Sequence, residues 1–419
     1  MKQKNWELKL IFWIIAILFA AFLVGPILLL FGKSMWDGGL TFEFYSSVVS
    51  KKGFLSALGN SFIVAAAAAV LATIIAFLIA YAVHYTALPK WFKRVLTGVA
   101  TLPMFLPTIT YGFAIIYSFG KQGLITRLLG RQLFDIYGIG GLLVGYVIYT
   151  IPVAFLLIHN TMSFVDKKTL VVSKVMGDGD LSTFWIAILR PLLGTLAGAF
   201  IQAFFLCFTD FGIPASVGGG YEVIATLLYN QMLGGIPDFN RGAVIAMIML
   251  IPSVGSICIL QILERFNIRY NRIDQTELRK NPARDFCWGV GDTILSMMIL
   301  AIFAVIFLVP MVESWPYKVN FTAAHFQSVF SDGSLLATYG HSITMALLTA
   351  ALGTLVAYGA ALITARSTLS RGYKQGIESI ALITNAIPGM VLGVAYLFLF
   401  SGTGLQNTML LMILCNIVH

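Results

Sequence analysis

Few residues in this chain of 419 have the types and spacing that catalysis requires. The best placed are the two aspartates of Gly177-Asp178-Gly179-Asp180. Two carboxylates can share a proton and assist hydrolysis, but only in a secluded site, and this segment lies in a charged loop. The chain also has no His, Asp and Glu cluster suited to metal or general-base work. We therefore predict no catalytic residues and no metal site, and a membrane enzyme is a poor alternative.

The loop 166–191 that contains these aspartates has a helical pattern of its own. Leu170, Ser173 and Gly177 are three to four residues apart, which is the spacing of one helix face. After the Gly-Asp-Gly-Asp turn, a second apolar stripe at helical spacing is formed by Phe184, Trp185, Ile188 and Leu189. We predict a short helix, a turn and a second short helix on a membrane surface, which is the shape of a docking element.

The composition is that of a membrane protein. Hydrophobic residues make up 58% of the chain and charged residues 11%, with a mean hydropathy of +0.88, which excludes an ordinary soluble domain. The first apolar run is about as long as a spanning helix and longer than a signal-peptide core, so we predict that it is retained. The apolar runs are 10–31, 56–85, 97–119, 139–163, 192–212, 242–263, 290–312, 341–365 and 379–400, with a tenth beginning near Asn407.

The net charge of +9 follows the loops of a membrane topology and does not indicate nucleic-acid binding. If the N-terminus is inside, 19 of the 27 lysines and arginines fall in inside loops and 8 in outside loops. Because cytoplasmic loops carry an excess of cations, we predict a cytoplasmic N-terminus and a cytoplasmic loop 166–191. The four cysteines lie in or beside apolar runs without paired spacing, and we predict small core residues at Cys207, Cys258, Cys287 and Cys415.

The chain repeats itself at a fixed offset. Moving residues 42–120 by 281 positions places Ser61 on Ser342, Pro107 on Pro388 and Gly112 on Gly393. The sequence thus predicts two homologous helical bundles in tandem with the same orientation. The first is 1–264, with six membrane helices, and a basic cytoplasmic linker follows at 265–289. The second is 290–419, with about four membrane helices, and we expect it to be incomplete because it stops before its own coupling loop.

The loop 166–191 resembles the cytoplasmic coupling loop of ATP-binding-cassette (ABC) importer permeases. That pattern is Glu-Ala-Ala, three residues, Gly, and after a further helix Ile-x-Leu-Pro. Gly177, the run 183–185 and the ending Ile188 to Pro191 match it, whereas Val171-Val172-Ser173 replaces Glu-Ala-Ala and Arg190 is inserted before Pro191. The resemblance implies an all-α polytopic membrane protein with the type I permease fold. The residues it assigns to ATPase coupling are Ser173, Lys174, Gly177, Asp178, Gly179, Asp180, Leu181 and Ser182.

The resemblance also implies partners and a location. Two copies of an ATPase subunit would bind the coupling loops and carry the ATP and magnesium. An extracytoplasmic substrate-binding protein would meet the outer loops 33–54, 213–241 and 314–338. The chain itself would sit in the inner membrane and bind no cofactor. The sequence also indicates that the chain binds no nucleotide. Gly32-Lys33-Ser34 matches the end of a phosphate-binding loop, but Ile27 occupies the position of the first glycine that such a loop requires.

A substrate class is suggested by a second likeness. The segment Thr209 to Pro214 resembles a Thr-Asp-Phe-Gly-(Val/Ile)-Pro stretch of fused permeases assigned to 2-aminoethylphosphonate uptake. Related fused permeases carry ferric iron or thiamine. Residues near the ends or bends of apolar runs form the predicted substrate path, although caps, interfacial acids and bent helices are equally ordinary explanations for them. The path residues are Asn60, Ser61, Pro107, Thr209 and Asp210.

The rival transport mechanism is a secondary transporter driven by an ion gradient. Such folds commonly place carboxylates or broken helices near the middle of the membrane for ion coupling. Here the acids near apolar runs are Glu264, at the end of one run, and Asp292, at the start of another. The sequence therefore favours a mechanism powered by a separate ATPase.

Overall fold

The computed structural model describes residues 6–36, 38–264 and 281–419. Residues 265–280 of the predicted linker lie outside the described residues, as do Lys2 and Lys4. The described α-helices, labelled in chain order, are α1 Trp6–Phe19, α2 Gly25–Met35, α3 Glu43–Val49, α4 Lys52–Tyr85, α5 Lys90–Thr101, α6 Thr108–Phe119, α7 Leu124–Leu129, α8 Ile139–Phe164, α9 Lys168–Val175, α10 Asp180–Phe184, α11 Arg190–Thr209, α12 Gly212–Val217, α13 Ile224–Leu233, α14 Phe239–Glu264, α15 Pro282–Leu308, α16 Ala324–Ser331, α17 Gly333–Ala361, α18 Arg371–Ala386, α19 Gly389–Phe400 and α20 Met409–Val418.

The fold is all-α apart from one small hairpin among the described residues. Its strands, β1 Val312–Ser314 and β2 Lys318–Phe321, pair antiparallel. Short π-helical segments join α1 to α2 at Ala20–Val24, α10 to α11 at Trp185–Leu189, and extend α17 at Leu362–Arg366. Because a π segment keeps the chain helical, each of these joins produces one continuous rod.

Seven helical rods in the described parts of the chain are long and apolar enough to cross a bilayer, which confirms a polytopic membrane protein. They are Trp6–Met35, Lys52–Tyr85, Ile139–Phe164, Asp180–Thr209, Phe239–Leu263, Pro282–Met311 and Gly333–Arg366. The predicted run 290–312 thus belongs to a helix that begins at Pro282, inside the predicted linker. Asn281 caps this helix by accepting a hydrogen bond from the Arg284 amide.

Two apolar runs that were predicted as single helices are broken. The run 97–119 is a pair of helices bent by 110° between Lys90–Phe105 and Thr108–Leu129. The run 379–400 breaks at Pro388, which directly precedes α19. Proline cannot donate a backbone hydrogen bond, and it disfavours a helical conformation in the residue before it. Each proline therefore ends one helix and opens the next.

One contact unit of the chain comprises Leu55–Thr226 and Cys258–Thr322. Its core is built from α4, α5, α8 and α11 around small and aromatic side chains. Alanines on α4, such as Ala76 and Ala80, are fully buried, and small residues of this kind let membrane helices approach closely. Trp288 and Leu295 of α15 pack against the same core.

The other contact unit comprises Met1–Phe54, Leu227–Ile257 and Ala323–His419. Ile15 and Phe19 of α1 pack in its core with side chains from α18, α19 and α20. The Tyr396 hydroxyl donates to the Phe22 carbonyl at 2.5 Å. The first contact unit thus combines α15 of the second predicted half with helices of the first half. The other combines the first membrane helix and most of α14 of the first half with helices of the second half.

The helix boundaries recur at the sequence offset of 281 positions. The helices α3, α4, α5 and α6 begin at Glu43, Lys52, Lys90 and Thr108, and α16, α17, α18 and α19 begin 281 residues later in each case. The ends of the longest pair also correspond. Thr86 donates to the carbonyl four residues before it at 2.5 Å, and its counterpart Ser367 does the same at 2.5 Å.

The prediction that all four cysteines are core residues is wrong for two of them. Cys207 is buried and Cys415 is partly buried, but Cys258 and Cys287 are exposed on α14 and α15. In a membrane-spanning helix an outward-facing apolar side chain meets lipid, so hydrophobicity alone does not place a residue in the protein core.

Candidate functional site

The loop 166–191 contains the predicted helix and turn. The helix α9 ends at a Schellman motif, in which the Gly177 amide donates to the Lys174 carbonyl at 3.1 Å and the Asp178 amide donates to the Ser173 carbonyl at 3.1 Å. Gly177 has a φ of +88°, a backbone conformation that glycine adopts without the steric cost of a Cβ. The sequence therefore fixes a sharp end to α9 at this residue.

Polar side chains hold the turn from both sides. The buried Ser173 hydroxyl donates to the Asp178 carboxylate at 2.6 Å, and the Ser182 hydroxyl donates to the other oxygen of that carboxylate at 3.2 Å. Lys174 forms an ion pair with Asp180, the first residue of α10, where a negative charge suits the helix dipole. Gly179 precedes α10 in extended conformation. Together with the Gly177 hydrogen bond, these contacts join six of the eight predicted coupling residues in one small turn, 173–182, which we call the coupling turn.

The remaining surface of this turn is apolar and exposed. Leu181, Val175 and Met176 are 86%, 82% and 79% exposed. Val171 and Val172, which replace acid and alanine of the importer pattern, are also exposed. An apolar tip on a rigid turn is typical of a surface that another protein covers.

The base of α9 is anchored to the helical bundle. Leu170 and Phe184 pack against the core formed by α4, α5, α8 and α11. The Asp166 carboxylate accepts the Lys168 amide at 2.9 Å. The Lys167 ammonium lies 5.8 Å from the ring centre of Tyr85, and partial burial lowers the pKa of Lys167. A force applied at the tip would therefore be transmitted to the ends of α4 and α8.

The second short surface helix that we predicted does not exist as a separate element. The helix α10 continues through the π segment Trp185–Leu189 into α11, so Asp180–Thr209 is one rod. Pro191 lies in the first turn of α11. Proline has no amide hydrogen, so in a regular helix one carbonyl of the preceding turn would lack a donor. The wider π turn just before Pro191 lets the helix continue in spite of this missing hydrogen bond.

A histidine pair between α4 and α8 was not predicted from the sequence. His84 near the end of α4 and His159 on α8 approach to 3.0 Å between Nε2 and Nδ1. Phe155 stacks on the His159 ring at a centroid distance of 5.0 Å. The two histidines are 75 residues apart, and the only signal in the sequence was their position near the same ends of two apolar runs.

The predicted path residues Asn60 and Ser61 are not helix caps, because α4 begins at Lys52. They tie the third turn of α4 to the segment after α12. The Asn60 amide donates to the Glu222 carbonyl at 2.9 Å, and the Ser61 hydroxyl accepts the Ile224 amide at 2.7 Å. The Ser61 hydroxyl in turn donates to the Ala57 carbonyl at 2.8 Å.

The other path residues meet at a second place in the same contact unit. Pro107 opens α6, and Thr108 beside it packs so closely on Gly212 that a Cβ there would lie 2.2 Å from the Thr108 hydroxyl. The Asp210 carboxylate accepts the Ile213 amide, in the first turn of α12, at 2.9 Å. The Thr209 hydroxyl donates to its own helix, at the Phe205 carbonyl, at 2.9 Å.

Aromatic hydroxyl groups surround this second cluster. Tyr111 and Tyr146 are both 1% exposed, and the rings of Tyr111 and Tyr149 are 6.0 Å apart. The Tyr111 hydroxyl donates to the Pro103 carbonyl, which the bend between α5 and α6 leaves available. Across the described ranges, no group of three or more His, Cys, Asp or Glu side chains could hold a metal ion.

Comparison with known proteins gives the family. Residues 75–270 match the family described as "Binding-protein-dependent transport system inner membrane component". The putative ferric transport system permease protein FbpB 1 of Haemophilus influenzae is 24% identical over 414 residues, which are 94% of this chain and 64% of that protein. The ferric transport system permease protein FbpB of Actinobacillus pleuropneumoniae is 24% identical and is matched over 59% of its length. The chain thus spans about three-fifths of these two curated relatives.

A thiamine transport system permease protein, ThiP of Haemophilus influenzae, is 22% identical over 96% of this chain and 72% of that protein. A solved bacterial ABC transporter involved in the import of the acidic polysaccharide alginate has the same fold. It shows a TM-score of 0.54 at 12% identity over 62% of this chain and 96% of that chain. From these matches, we conclude that residues 75–270 belong to this family of inner membrane transport components and that the chain has the fold of an ABC importer permease.

Proposed function

We propose that this chain is the membrane-spanning subunit of an ATP-driven importer that carries a small solute into the cytoplasm by alternating access. The observation that carries the proposal is the coupling turn, where an exposed apolar tip stands on a polar, hydrogen-bonded base. The chain performs no bond chemistry in this scheme. ATP and magnesium are bound by two copies of a separate ATPase subunit, and a substrate-binding protein delivers the solute from outside.

The eight coupling residues take distinct roles in this proposal. Leu181 enters a groove of the ATPase, while Ser173, Asp178, Ser182 and the other polar residues keep the turn rigid. Because α10 and α11 form one rod, movement of the tip tilts a whole membrane helix. The ATPase favours one of two states of the permease only if its contacts with the tip differ between them. The proposal requires a cytoplasmic N-terminus, as the distribution of lysine and arginine predicts.

We further propose that the chain consists of two homologous halves, 1–264 and 290–419, joined by 265–289. Four pairs of helix starts at the same offset support this division, as does the shared hydrogen bond of Thr86 and Ser367. The two halves are defined by the repeat in the sequence, whereas the contact units are defined by which helices pack together. The two divisions differ because the first membrane helix of each half, and most of α14, are grouped with helices of the other half.

The substrate candidates are supported by different observations. The motif Thr209 to Pro214 favours 2-aminoethylphosphonate. The names of two relatives favour ferric iron, and that of another favours thiamine. We propose that the solute passes the two polar clusters of the path, one at Asn60 and Ser61 and the other at Pro107, Thr209 and Asp210.

The test is ATP-driven uptake by proteoliposomes that contain the chain, its ATPase and its binding protein, with each of the three solutes offered in turn. Leu181→Asp should abolish ATP-dependent uptake, because a charge at the tip opposes burial in the ATPase. Leu128→Asp is the matched control, since Leu128 is 76% exposed on α7, outside the coupling turn. Uptake that continues without ATP and follows an ion gradient would instead establish the secondary-transporter mechanism.

A further inference from the structure

An apolar groove lies between the start of α5 and the first half of α15, outside the coupling turn and the substrate path. Its volume is about 380 Å³. The side chains that line the groove are mostly aromatic and aliphatic. Two of these side chains, Trp91 and Phe286, are 65% and 71% exposed. The residues that carry the argument are Leu88, Trp91, Phe92, Phe286, Val290 and Ile294.

Two cations are neighbours of the groove residue Trp91 on α5. Lys90 and Arg94 are exposed and one helical turn apart, so both lie beside Trp91 on α5. Neither belongs to an ion pair within the described ranges. Lys93 is engaged differently, because its ammonium donates to the Thr86 carbonyl at 2.7 Å.

The negative charge of Asp285, the one acid among the residues that line the groove, is neutralised by a neighbouring cation. Asp285 forms an ion pair with Arg284 at 2.8 Å and accepts the Ala87 amide at 3.2 Å. The net charge at this end of the groove is therefore positive. Lys90, Lys93 and Arg94 on α5 supply this charge, because the pair of Arg284 and Asp285 adds none.

The groove lies at the same end of the helices as the coupling turn. Asp285 accepts a hydrogen bond from the amide of Ala87, which lies two residues after the end of α4. Lys167, which precedes α9, lies over the ring of Tyr85, the last residue of α4. Helix ends with tryptophan and basic residues are typical of the boundary between acyl chains and headgroups. We therefore expect the apolar groove to face the acyl chains and Lys90 and Arg94 to lie near the headgroups.

We propose that this groove binds an anionic glycerophospholipid, with an acyl chain against Trp91, Phe286 and Val290 and the phosphate near Lys90 and Arg94. Basic pockets between membrane helices are suited to such headgroups, and apolar walls to the attached chain. The site goes beyond the proposed transport function and requires no particular substrate. It lies beside the coupling turn, so an occupied groove would stiffen the ends of α4 and α5 on which that turn rests.

The test measures the thermal unfolding of the full 419-residue chain in neutral detergent with increasing amounts of phosphatidylglycerol or phosphatidylcholine. We expect stabilisation that saturates with phosphatidylglycerol and is absent with phosphatidylcholine. Each basic residue near an anionic lipid contributes about a fivefold gain in affinity, so Lys90→Ala/Arg94→Ala should weaken the apparent affinity by about 25-fold. The control is Arg371→Ala/Lys374→Ala at the start of α18, where Arg371 is the repeat counterpart of Lys90 and Lys374 that of Lys93; this pair should leave the affinity unchanged.

A second variant tests the acyl chain. Val290→Trp should fill the groove and weaken phosphatidylglycerol binding while both cations remain. Unchanged affinity in Val290→Trp would show that the headgroup binds alone and would overturn the proposal. So would equal weakening by the control pair, equal stabilisation by phosphatidylcholine, or full stabilisation by inorganic phosphate without lipid.

Discussion

Replacement of Gly177 by alanine should loosen the coupling turn, and the structure allows its cost to be isolated. Gly177 has a φ of +88°, and no atom lies within 4 Å of the position that a Cβ would take. Gly179 is two residues away, also has open space around its Cβ position, and has a φ of −66°. The two substitutions add the same methyl group to the same loop, but only Gly177→Ala places it on a left-handed backbone.

The expected magnitude follows from that backbone alone. A left-handed conformation costs a residue with a Cβ about 1–2 kcal/mol, and the extended backbone at Gly179 carries no such penalty. If the loss falls on local opening of the Schellman motif, the open population rises by about 5- to 30-fold. Asparagine tolerates the left-handed region better than alanine does, so Gly177→Asn should give an intermediate effect.

Hydrogen exchange of the peptide that covers 168–184 measures this directly, because the Gly177 and Asp178 amides are protected only while the motif is closed. Gly177→Ala should speed the exchange of these amides by about 5- to 30-fold, and Gly179→Ala should leave it unchanged. Equal acceleration in both variants would refute the reasoning, because the effect would then come from the added methyl group and not from φ. An unchanged rate in Gly177→Ala would refute it as well.

Three other substitutions test packing and polar contacts. Ser173→Ala removes the buried hydroxyl that donates to the Asp178 carboxylate and should destabilise the turn by about 1–3 kcal/mol. The same hydrogen-exchange measurement should show a smaller effect for Ser182→Ala. Ser61→Ala leaves a buried amide without its acceptor and should lower the unfolding free energy by about 1–3 kcal/mol; an unchanged melting temperature would contradict this. Gly112→Ala would place a Cβ 1.6 Å from the Ser216 hydroxyl and should cost about 1–3 kcal/mol, and the double variant with Ser216→Gly should recover most of it unless the clash lies elsewhere.

The sequence was sufficient for features set by chain length and backbone chemistry. Apolar runs about as long as a bilayer is thick predicted most of the membrane helices, because lipid satisfies no backbone polar group. Gly177 predicted the turn, since a left-handed residue was needed where the helical pattern stopped. The proline of each repeat predicted a bend, although not that the bend would break the run into two helices.

Other features depend on contacts between distant segments and could not be predicted. Polar residues extend α4 beyond its apolar run to Lys52, so Asn60 and Ser61 lie inside the helix. Their partners are more than 160 residues away in the chain. The helix that passes through Pro191 was also missed, because a local proline rule predicts a break and does not include the π turn that accommodates it.

The account depends most on the side of the membrane that the coupling turn faces. A single cysteine at position 181 in a chain without Cys207, Cys258, Cys287 and Cys415 can be labelled with a membrane-impermeant maleimide. The account predicts labelling in inside-out vesicles and none in right-side-out vesicles. Labelling of that cysteine from the outside would contradict it, because the exposed tip could then not meet a cytoplasmic ATPase.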